Sequence, residues 1–180
     1  MKANRVYYRT LQFWQALSRR PTQDELAEVR RRLGERRYAL FLKMQPSEQV
    51  HSLQVMRRVL FQGAPHPDLI TAALLHDVGK SRYPLHLWER VLIVLARAII
   101  PGCADRWGEG HPAGWRKPFV VAHHHASWGA EMAEKAGASA LTVALIRRHQ
   151  EPLPQEPVAT LGEGLEDRLL ECLKSCDEES

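Results

Sequence analysis

The sequence predicts an all-α fold in a single domain, and three observations agree on that class. Apolar residues recur at helical spacing along most of the chain, and no segment alternates apolar and polar residues as a half-buried strand does. Thr22 and Glu25 form a capping-box pattern, which marks the start of a helix. The 180 residues fit one domain, and a hydrophobic content of 44% is enough to build a core.

The predicted helices follow one another with short turns. The first, over residues 4–18, carries Tyr7, Leu11, Trp14 and Leu17 along one face. The others cover residues 22–44, 46–61, 68–78, 84–100, 119–136, 139–150 and 163–176. Gly63 and Gly79 are expected to end two of them, and a Pro-rich turn covers residues 152–157. Residues 102–118, with four Gly and two Pro, are predicted to be irregular, either as a lid or substrate-selecting insert or as an inert loop.

Charge and composition restrict the classes of function. The net charge is +4, and basic residues concentrate between residues 19 and 37, either as a solvated helical face or as a surface that attracts phosphate-bearing partners such as nucleic acid. We expect residues 1–44 to form basic helices packed on a domain of residues 45–180. No apolar run approaches the ~20 residues of a membrane span. The absence of a secretory signal and of CxxC spacing predicts a cytoplasmic protein.

The adjacent residues His76 and Asp77 are the most informative pair in the chain. The segment LITAALLH, residues 69–76, is apolar on every side apart from Thr71, and a helix of that kind is normally buried. An imidazole and a carboxylate at its end are costly to desolvate unless something pairs with them. A metal ion binds both groups. The pair therefore predicts a metal site.

Helical spacing places further candidate ligands on the core side of separate helices. His125 shares its stripe with apolar or small residues, whereas His124 lies on a half-solvated stripe. The remaining core-facing candidates are His51, His149 and Asp177. Each histidine alone is also compatible with a structural role. Together, several buried imidazoles and carboxylates need common partners, and two divalent cations would supply them.

At these residues the sequence resembles the HD-domain metal-dependent phosphohydrolases. The doublet His76-Asp77 lies within AALLHDVGK, and the early histidine of the family corresponds to His51 in EQVHSLQVM. The late aspartate corresponds to Asp177 in LLECLKSCDEES. His125, in HASWGAEMAEKAG, and His149, in ALIRRHQEP, resemble the two additional histidines of members that bind two metals. The resemblance covers residues 45–178 and implies a helical bundle of the HD-domain type.

The resemblance also implies roles for these residues. His51, His76 and Asp177 would bind one ion, His125 and His149 a second, and Asp77 would bridge both. Asp77 and Lys80 are the expected catalytic residues. Lys80, Arg147 and Arg148 are candidates for binding the substrate phosphate, and His124 for orienting a ligand or handling protons. The nitrogen and oxygen donors favour one or two divalent ions per chain, iron or manganese before magnesium or zinc.

The expected reaction is hydrolysis of a phosphate ester or anhydride in a nucleotide-like small molecule, with a metal-bridged hydroxide as nucleophile. Two alternatives stay open. One is an HD-fold ligand-binding or signalling module without turnover, and the other is a diiron oxygenase that uses the same ligand set. Asp177 lies three residues from the C-terminus, where chain ends often fray, and disorder there would weaken metal binding.

Overall fold

A computed structural model describes residues 19–63, 66–151 and 164–179. Within these residues the chain forms α-helices and 3₁₀ helices and no strand, so the predicted all-α class is confirmed. The predicted helix over residues 4–18 and the predicted turn over residues 152–157 lie outside the described residues. The α-helices are α1 (Gln23–Phe41), α2 (Pro46–Phe61), α3 (Pro67–Leu75), α4 (Leu87–Ile99), α5 (Pro101–Trp107), α6 (Lys117–Lys135), α7 (Ala140–Arg148) and α8 (Leu165–Glu178). The 3₁₀ helices are Val78–Arg82 and Gly114–Arg116.

The predicted start of α1 is confirmed, but the helix is not continuous. The Thr22 side chain accepts a hydrogen bond from the Glu25 amide, and the Glu25 carboxylate accepts one from the Thr22 amide, which completes the capping box. Gly34 then adopts a φ of 68°, a left-handed conformation that kinks the helix. Gly63, with a φ of 80°, follows the end of α2 as the sequence predicts.

Helix α3 forms the centre of the molecule. All seven of its residues from Leu69 to Leu75 are buried. It packs against α1, α2, α7 and α8, and the side chains of these helices form one continuous core with it. The predicted burial of this segment is therefore correct, and its C-terminal end delivers His76 and Asp77 to the interior. The helix ends at Leu75, three residues before the predicted end.

Helix α4 packs against α5 and α6 and turns its polar residues inward. Arg90 donates to the Glu48 carboxylate at 2.6 Å, and Lys117 donates to Glu89 at 3.3 Å. Both carboxylates are buried, and the exposed side of the helix carries Trp88, Val91, Val94, Leu95 and Ile99. These ion pairs hold α4 beside the N-terminal ends of α2 and α6.

Residues 102–118 are more regular than predicted. Helix α5 and the second 3₁₀ helix occupy most of this segment. The rings of Trp107 and Phe119 lie 5.1 Å apart between centroids, as do those of Trp107 and Trp115. This aromatic packing orders the segment in spite of its glycines, because contacts between aromatic rings stabilise the folded chain beyond the contribution of the apolar area that they bury.

Helix α1 supports the bundle through its apolar side and pairs many of its arginines internally. Val29 and Leu33 are fully buried in the common core. Arg30 pairs with Glu35 at 2.7 Å and Arg32 with Glu28 at 2.8 Å. Such pairs are typical of a solvated helical face, and attraction of phosphate-bearing partners by this segment stays a prediction. In the described part of the chain, every helix is too short or too polar to cross a membrane.

Candidate metal centre

Two groups of histidine and aspartate side chains meet at the centre of the bundle and could each hold a metal ion. The first contains His51, His76 and Asp77, and the second contains Asp77, His125 and His149. Within each group the candidate ligand atoms lie within 4.8 Å of one another. Asp77 belongs to both groups, which is the position that a bridging carboxylate requires.

Local structure positions each ligand. His76 is the C-cap of α3, and Asp77 has a φ of −93° and a ψ of 0°, which turns the chain into the 3₁₀ helix Val78–Arg82. His149 is the C-cap of α7. His125 lies in the middle of α6, on the side that packs against this 3₁₀ helix. His51 lies on α2 above buried Val55, as the spacing predicted.

Asp177 joins the first group from the last turn of α8. Its Oδ1 lies 2.7 Å from His51 Nε2 and 3.4 Å from His76 Nε2. The other side of the site is equally close, because Asp77 Oδ1 lies 3.3 Å from His125 Nε2. All six predicted ligands therefore converge, although they come from four α-helices and from the junction after α3.

The buried histidines are oriented by backbone carbonyls. The Nδ1 atoms of His76, His125 and His149 donate to the carbonyls of Ala73, Val121 and Ile146 at 3.0, 3.1 and 2.7 Å. Because a carbonyl only accepts hydrogen bonds, Nδ1 must carry the proton. In the neutral ring this leaves a lone pair on Nε2, which points into the site. Metal-binding histidines are commonly fixed in this way.

The Nε2 atom of His76 provides a direct test of whether the site fits a metal. His76 is 1% exposed, and Nε2 has no hydrogen-bond partner of acceptable geometry among the described residues. The nearest carboxylate oxygens, from Asp177 and Asp77, lie 3.4 and 3.6 Å away. An unpaired buried nitrogen is costly. A cation between these atoms would satisfy the nitrogen and both carboxylates, so the donors fit a metal ion.

The pKa values of four groups favour the protonation states that bind metals. Burial opposes charge on Asp77, but Lys80 and the nearby imidazoles outweigh it and hold its pKa well below the usual value. Burial also opposes charge on Asp177, but the hydrogen bond with His51 and the nearby His76 imidazole outweigh it and lower the pKa of Asp177. Burial lowers the pKa of His125, and it lowers that of His149 to about 3. Charged carboxylates and neutral imidazoles are the forms that coordinate metals.

The pKa of His76 is shifted in the opposite direction, because two carboxylates stabilise positive charge on this ring. Burial alone would lower its pKa, but the carboxylates of Asp77 and Asp177 outweigh burial and raise it. A proton on this ring is therefore stabilised by the same two carboxylates that would bind an ion. Proton and metal compete for one nitrogen.

Gly79 brings the two halves of the site together. A Cβ atom at this position would lie 1.9 Å from the His125 carbonyl oxygen and 2.7 Å from the Gly129 amide nitrogen. Both neighbours are backbone atoms of α6 and cannot move aside locally. The role expected from the sequence, ending a helix, is wrong, because α3 ends at Leu75 and Gly79 lies inside the 3₁₀ helix.

A cavity of about 720 Å³ contains the candidate ligands His51, Asp77, His125, His149 and Asp177 in its walls. The other charged side chains of the lining are the cations Lys80, Arg147 and Lys174 and the carboxylates Glu151 and Glu178. Lys80 Nζ lies 2.6 Å from Asp77 Oδ2. Lys174 is 6% exposed and donates to the Glu151 carbonyl. Cations at the rim of a metal site are suited to binding a phosphate.

Two residues predicted to take part in the site lie elsewhere. The Arg148 guanidinium pairs with Glu151, Glu166 and Asp167 at 3.1, 2.6 and 3.0 Å and does not line the cavity. It joins α7 to α8 rather than facing a substrate, which corrects its predicted phosphate contact. The His124 ring stacks on Trp128 at 5.6 Å between centroids and is likewise not a cavity wall. Its predicted role beside the ligands finds no support in this geometry.

The structure adds residues that the sequence reasoning missed. Lys174 lies three residues before Asp177, and that spacing places both on one helical face, so it was a usable signal. His123 and Ser127 line the cavity at an i, i+4 spacing on α6. The backbone contact of Gly79 had no such signal, because its partner lies on another helix.

Comparison with known proteins agrees with this geometry. The family model described as the HD domain matches residues 50–178, which include all six candidate ligands. Neither the search of curated proteins nor that of solved structures gives a significant match. The match spans more than half of the chain, and the fold is all-α as that family requires. The protein therefore belongs to the HD domain family, whose members are typically metal-dependent phosphohydrolases.

Proposed function

We propose that this protein is a metal-dependent phosphohydrolase that cleaves a phosphate ester or anhydride in a nucleotide-like small molecule. The observation that carries the proposal is the sharing of Asp77 between two histidine groups at the base of a cation-lined cavity. A site for a structural metal alone would be closed. This site lies in an open cavity that Lys80, Arg147 and Lys174 also line.

The residues of the site would have three roles, which are to hold a first cation, to hold a second cation and to bind the substrate phosphate. His51, His76, Asp77 and Asp177 would hold one cation, and Asp77, His125 and His149 a second. Divalent cations held there would supply an activated water and would stabilise the charge that develops on the phosphoryl oxygens. The nitrogen and oxygen donors favour iron or manganese before magnesium or zinc. Lys80, Arg147 and Lys174 would bind the phosphate oxygens and fix the phosphorus above Asp77.

Lys80 would take part both in the metal centre, through its contact with Asp77, and in phosphate binding. Its ammonium lies 2.6 Å from Asp77 Oδ2, which is the oxygen nearer to His76. If Asp77 bound cations instead, this ammonium would be free to turn toward the cavity that it already lines. Lys80 would then contact a phosphate oxygen and also limit the negative charge beside the nucleophile.

The experiment begins with metal content. The purified, untagged protein is analysed for metals, reconstituted with iron or manganese, and tested on a panel of nucleotide mono-, di- and triphosphates and dinucleoside polyphosphates. About two ions per chain and release of phosphate or a nucleotide product support the proposal. Bound metal without turnover on any phosphate compound indicates the ligand-binding alternative. Oxygen consumption with a redox-active iron pair indicates the oxygenase.

Variants at adjacent histidines provide a matched comparison. His125→Ala should lose metal and turnover, because His125 is 3% exposed and its Nε2 faces Asp77. His124→Ala should keep both, because that ring stacks on Trp128. Asp77→Ala should abolish turnover and keep the helical circular dichroism spectrum. Full activity in Asp77→Ala, or a reversed order for the two histidines, would contradict the proposal.

A further inference from the structure

A second cavity of about 270 Å³ adjoins the metal centre. Lys80, Ala122, His125 and Gln150 line both cavities, so the two are contiguous. We call the smaller cavity the side pocket. Ligand pockets usually measure roughly 300–1,000 Å³. A pocket of this size next to a larger one fits one group of a substrate rather than a whole molecule.

The walls of the side pocket differ in character from those of the main cavity. Leu85, Ile93, Val94 and Val121 provide apolar surface from three parts of the chain. Lys80 stands where the side pocket meets the phosphate-binding cavity. The main cavity is therefore lined largely by charged and imidazole side chains, and the adjoining side pocket offers more apolar surface.

Glu48 and Arg90 form the polar end of the side pocket. Arg90 donates to Glu48 Oε1 and to Gln45 Oε1, each at 2.6 Å, and Glu48 Oε2 accepts from the Gln45 amide at 3.0 Å. Glu48 is 4% exposed, so these bonds hold it in one orientation. A guanidinium carries five donors, and a carboxylate accepts about four hydrogen bonds. Both groups therefore keep capacity for a ligand while their geometry is already set.

We propose that the side pocket binds the nucleobase of the substrate, while the phosphate lies among the cations of the main cavity. A nucleobase has two apolar faces and an edge of donors and acceptors. The apolar walls match the faces, and the Glu48–Arg90 pair matches the edge. An aliphatic group would leave the remaining hydrogen-bonding capacity of this pair unused. The inference rests on the proposed function, and it identifies the group by which the protein would recognise its substrate.

The test fills the pocket without disturbing the fold. Val94 is 67% exposed and lines the side pocket, so Val94→Trp adds bulk at the pocket mouth at little cost to the core. Ile99→Trp is the matched control, because Ile99 is 74% exposed on the same helix and lies away from the pocket. Thermal unfolding of both variants establishes that they fold as the unsubstituted protein does.

Two measurements are made on each protein. The first is the binding of adenosine, guanosine, cytidine and uridine to the metal-free chain by calorimetry. The second is kcat/KM of the metal-loaded chain for the nucleotide that it hydrolyses and for a base-free compound with the same bond. The base-free compound is ribose 5-phosphate for an ester or tripolyphosphate for an anhydride.

The proposal expects Val94→Trp to lose nucleoside binding and at least tenfold in kcat/KM for the nucleotide, with less than a twofold change for the base-free compound. Ile99→Trp should stay within twofold of the unsubstituted protein in every measurement. Equal losses on both substrates, no loss on either, or no nucleoside binding to the unsubstituted chain would overturn the proposal while leaving phosphohydrolysis in place. Nucleoside binding that Val94→Trp abolishes, in a protein without turnover, would support the pocket and reject the proposed function.

Discussion

One glycine determines how closely the 3₁₀ helix Val78–Arg82 approaches α6. We expect Gly79→Ala to lower the free energy of unfolding by at least about 2 kcal/mol, because the added Cβ meets three backbone atoms within 3 Å and overpacking costs ~1–3 kcal/mol or more. Urea unfolding of the two proteins measures the difference.

Gly102→Ala is the control for that substitution. A Cβ at Gly102 meets no atom within 4 Å, and an exposed helical glycine is about 1 kcal/mol less favourable than alanine. This variant should be as stable as the unsubstituted protein or more so. Equal stability of Gly79→Ala and the unsubstituted protein would show that α6 is not fixed by this contact.

His149 makes stability depend on pH in the metal-free protein. Burial lowers its pKa from 6.5 to about 3, so between these pH values the unfolded chain binds a proton that the folded chain does not. The free energy of unfolding should therefore fall as the pH is lowered through this window, by up to about 1.4 kcal/mol per pH unit from this group. His125, whose pKa is also lowered, acts in the same direction.

His76 acts in the opposite direction, because its raised pKa contributes stability at low pH that is lost as the pH rises through its folded value. The two effects are separated with His149→Gln, measured by urea unfolding between pH 6 and pH 4 in the presence of a chelator. The variant should show a smaller decrease in stability on acidification than the unsubstituted protein. The same slope in both proteins would mean that His149 is protonated in the folded state.

The last turn of α7 presents two consecutive arginines to different surroundings. Arg147 lines the main cavity, whereas Arg148 is bound by three carboxylates that include Glu166 and Asp167 of α8. We expect Arg147→Gln to weaken inhibition by inorganic phosphate about tenfold, since a hydrogen bond to a charged group contributes ~1.5–3 kcal/mol. The measurement is the inhibition constant of phosphate in the turnover assay of the metal-loaded protein.

Arg148→Gln should change that inhibition constant less than twofold and should instead lower the free energy of unfolding by about 1 kcal/mol, the upper range for exposed ion pairs. If Arg148→Gln weakened phosphate inhibition more than Arg147→Gln, the substrate would approach from the α8 side of the site.

The candidate metal centre contains residues from helices that are far apart in the sequence. The candidate ligands come from α2, α6, α7 and α8 and from the turn after α3, so an ion bound there would link most of the bundle. At metal concentrations near 100 times Kd, binding adds about 2.7 kcal/mol of stability, which corresponds to a rise in Tm of about 5–10 °C in a chain of this size. Scanning calorimetry with metal and with chelator measures this shift.

His76→Ala should abolish the metal-dependent rise in Tm, because its buried Nε2 has no other partner in the described structure. His111→Ala should keep the full rise, because His111 is exposed and lies in the segment after α5. A rise that survives in His76→Ala would place the metal elsewhere.

The sequence alone determined the helical class, the burial of α3 and the choice of six candidate ligands, because each of these depends on local periodicity and on residue types whose burial is costly without a partner. The sequence also predicted that His125 faces the core and that His124 does not, since helical spacing determines which side of a helix a residue lies on. Tertiary structure decided what depends on contacts between helices. These are the pairing of Arg148 with α8, the contact of Gly79 with the α6 backbone, the ordering of residues 102–118 by aromatic packing, and the side pocket between α2, α4 and α6. Such contacts join residues far apart in the chain, and no periodicity within one segment encodes them.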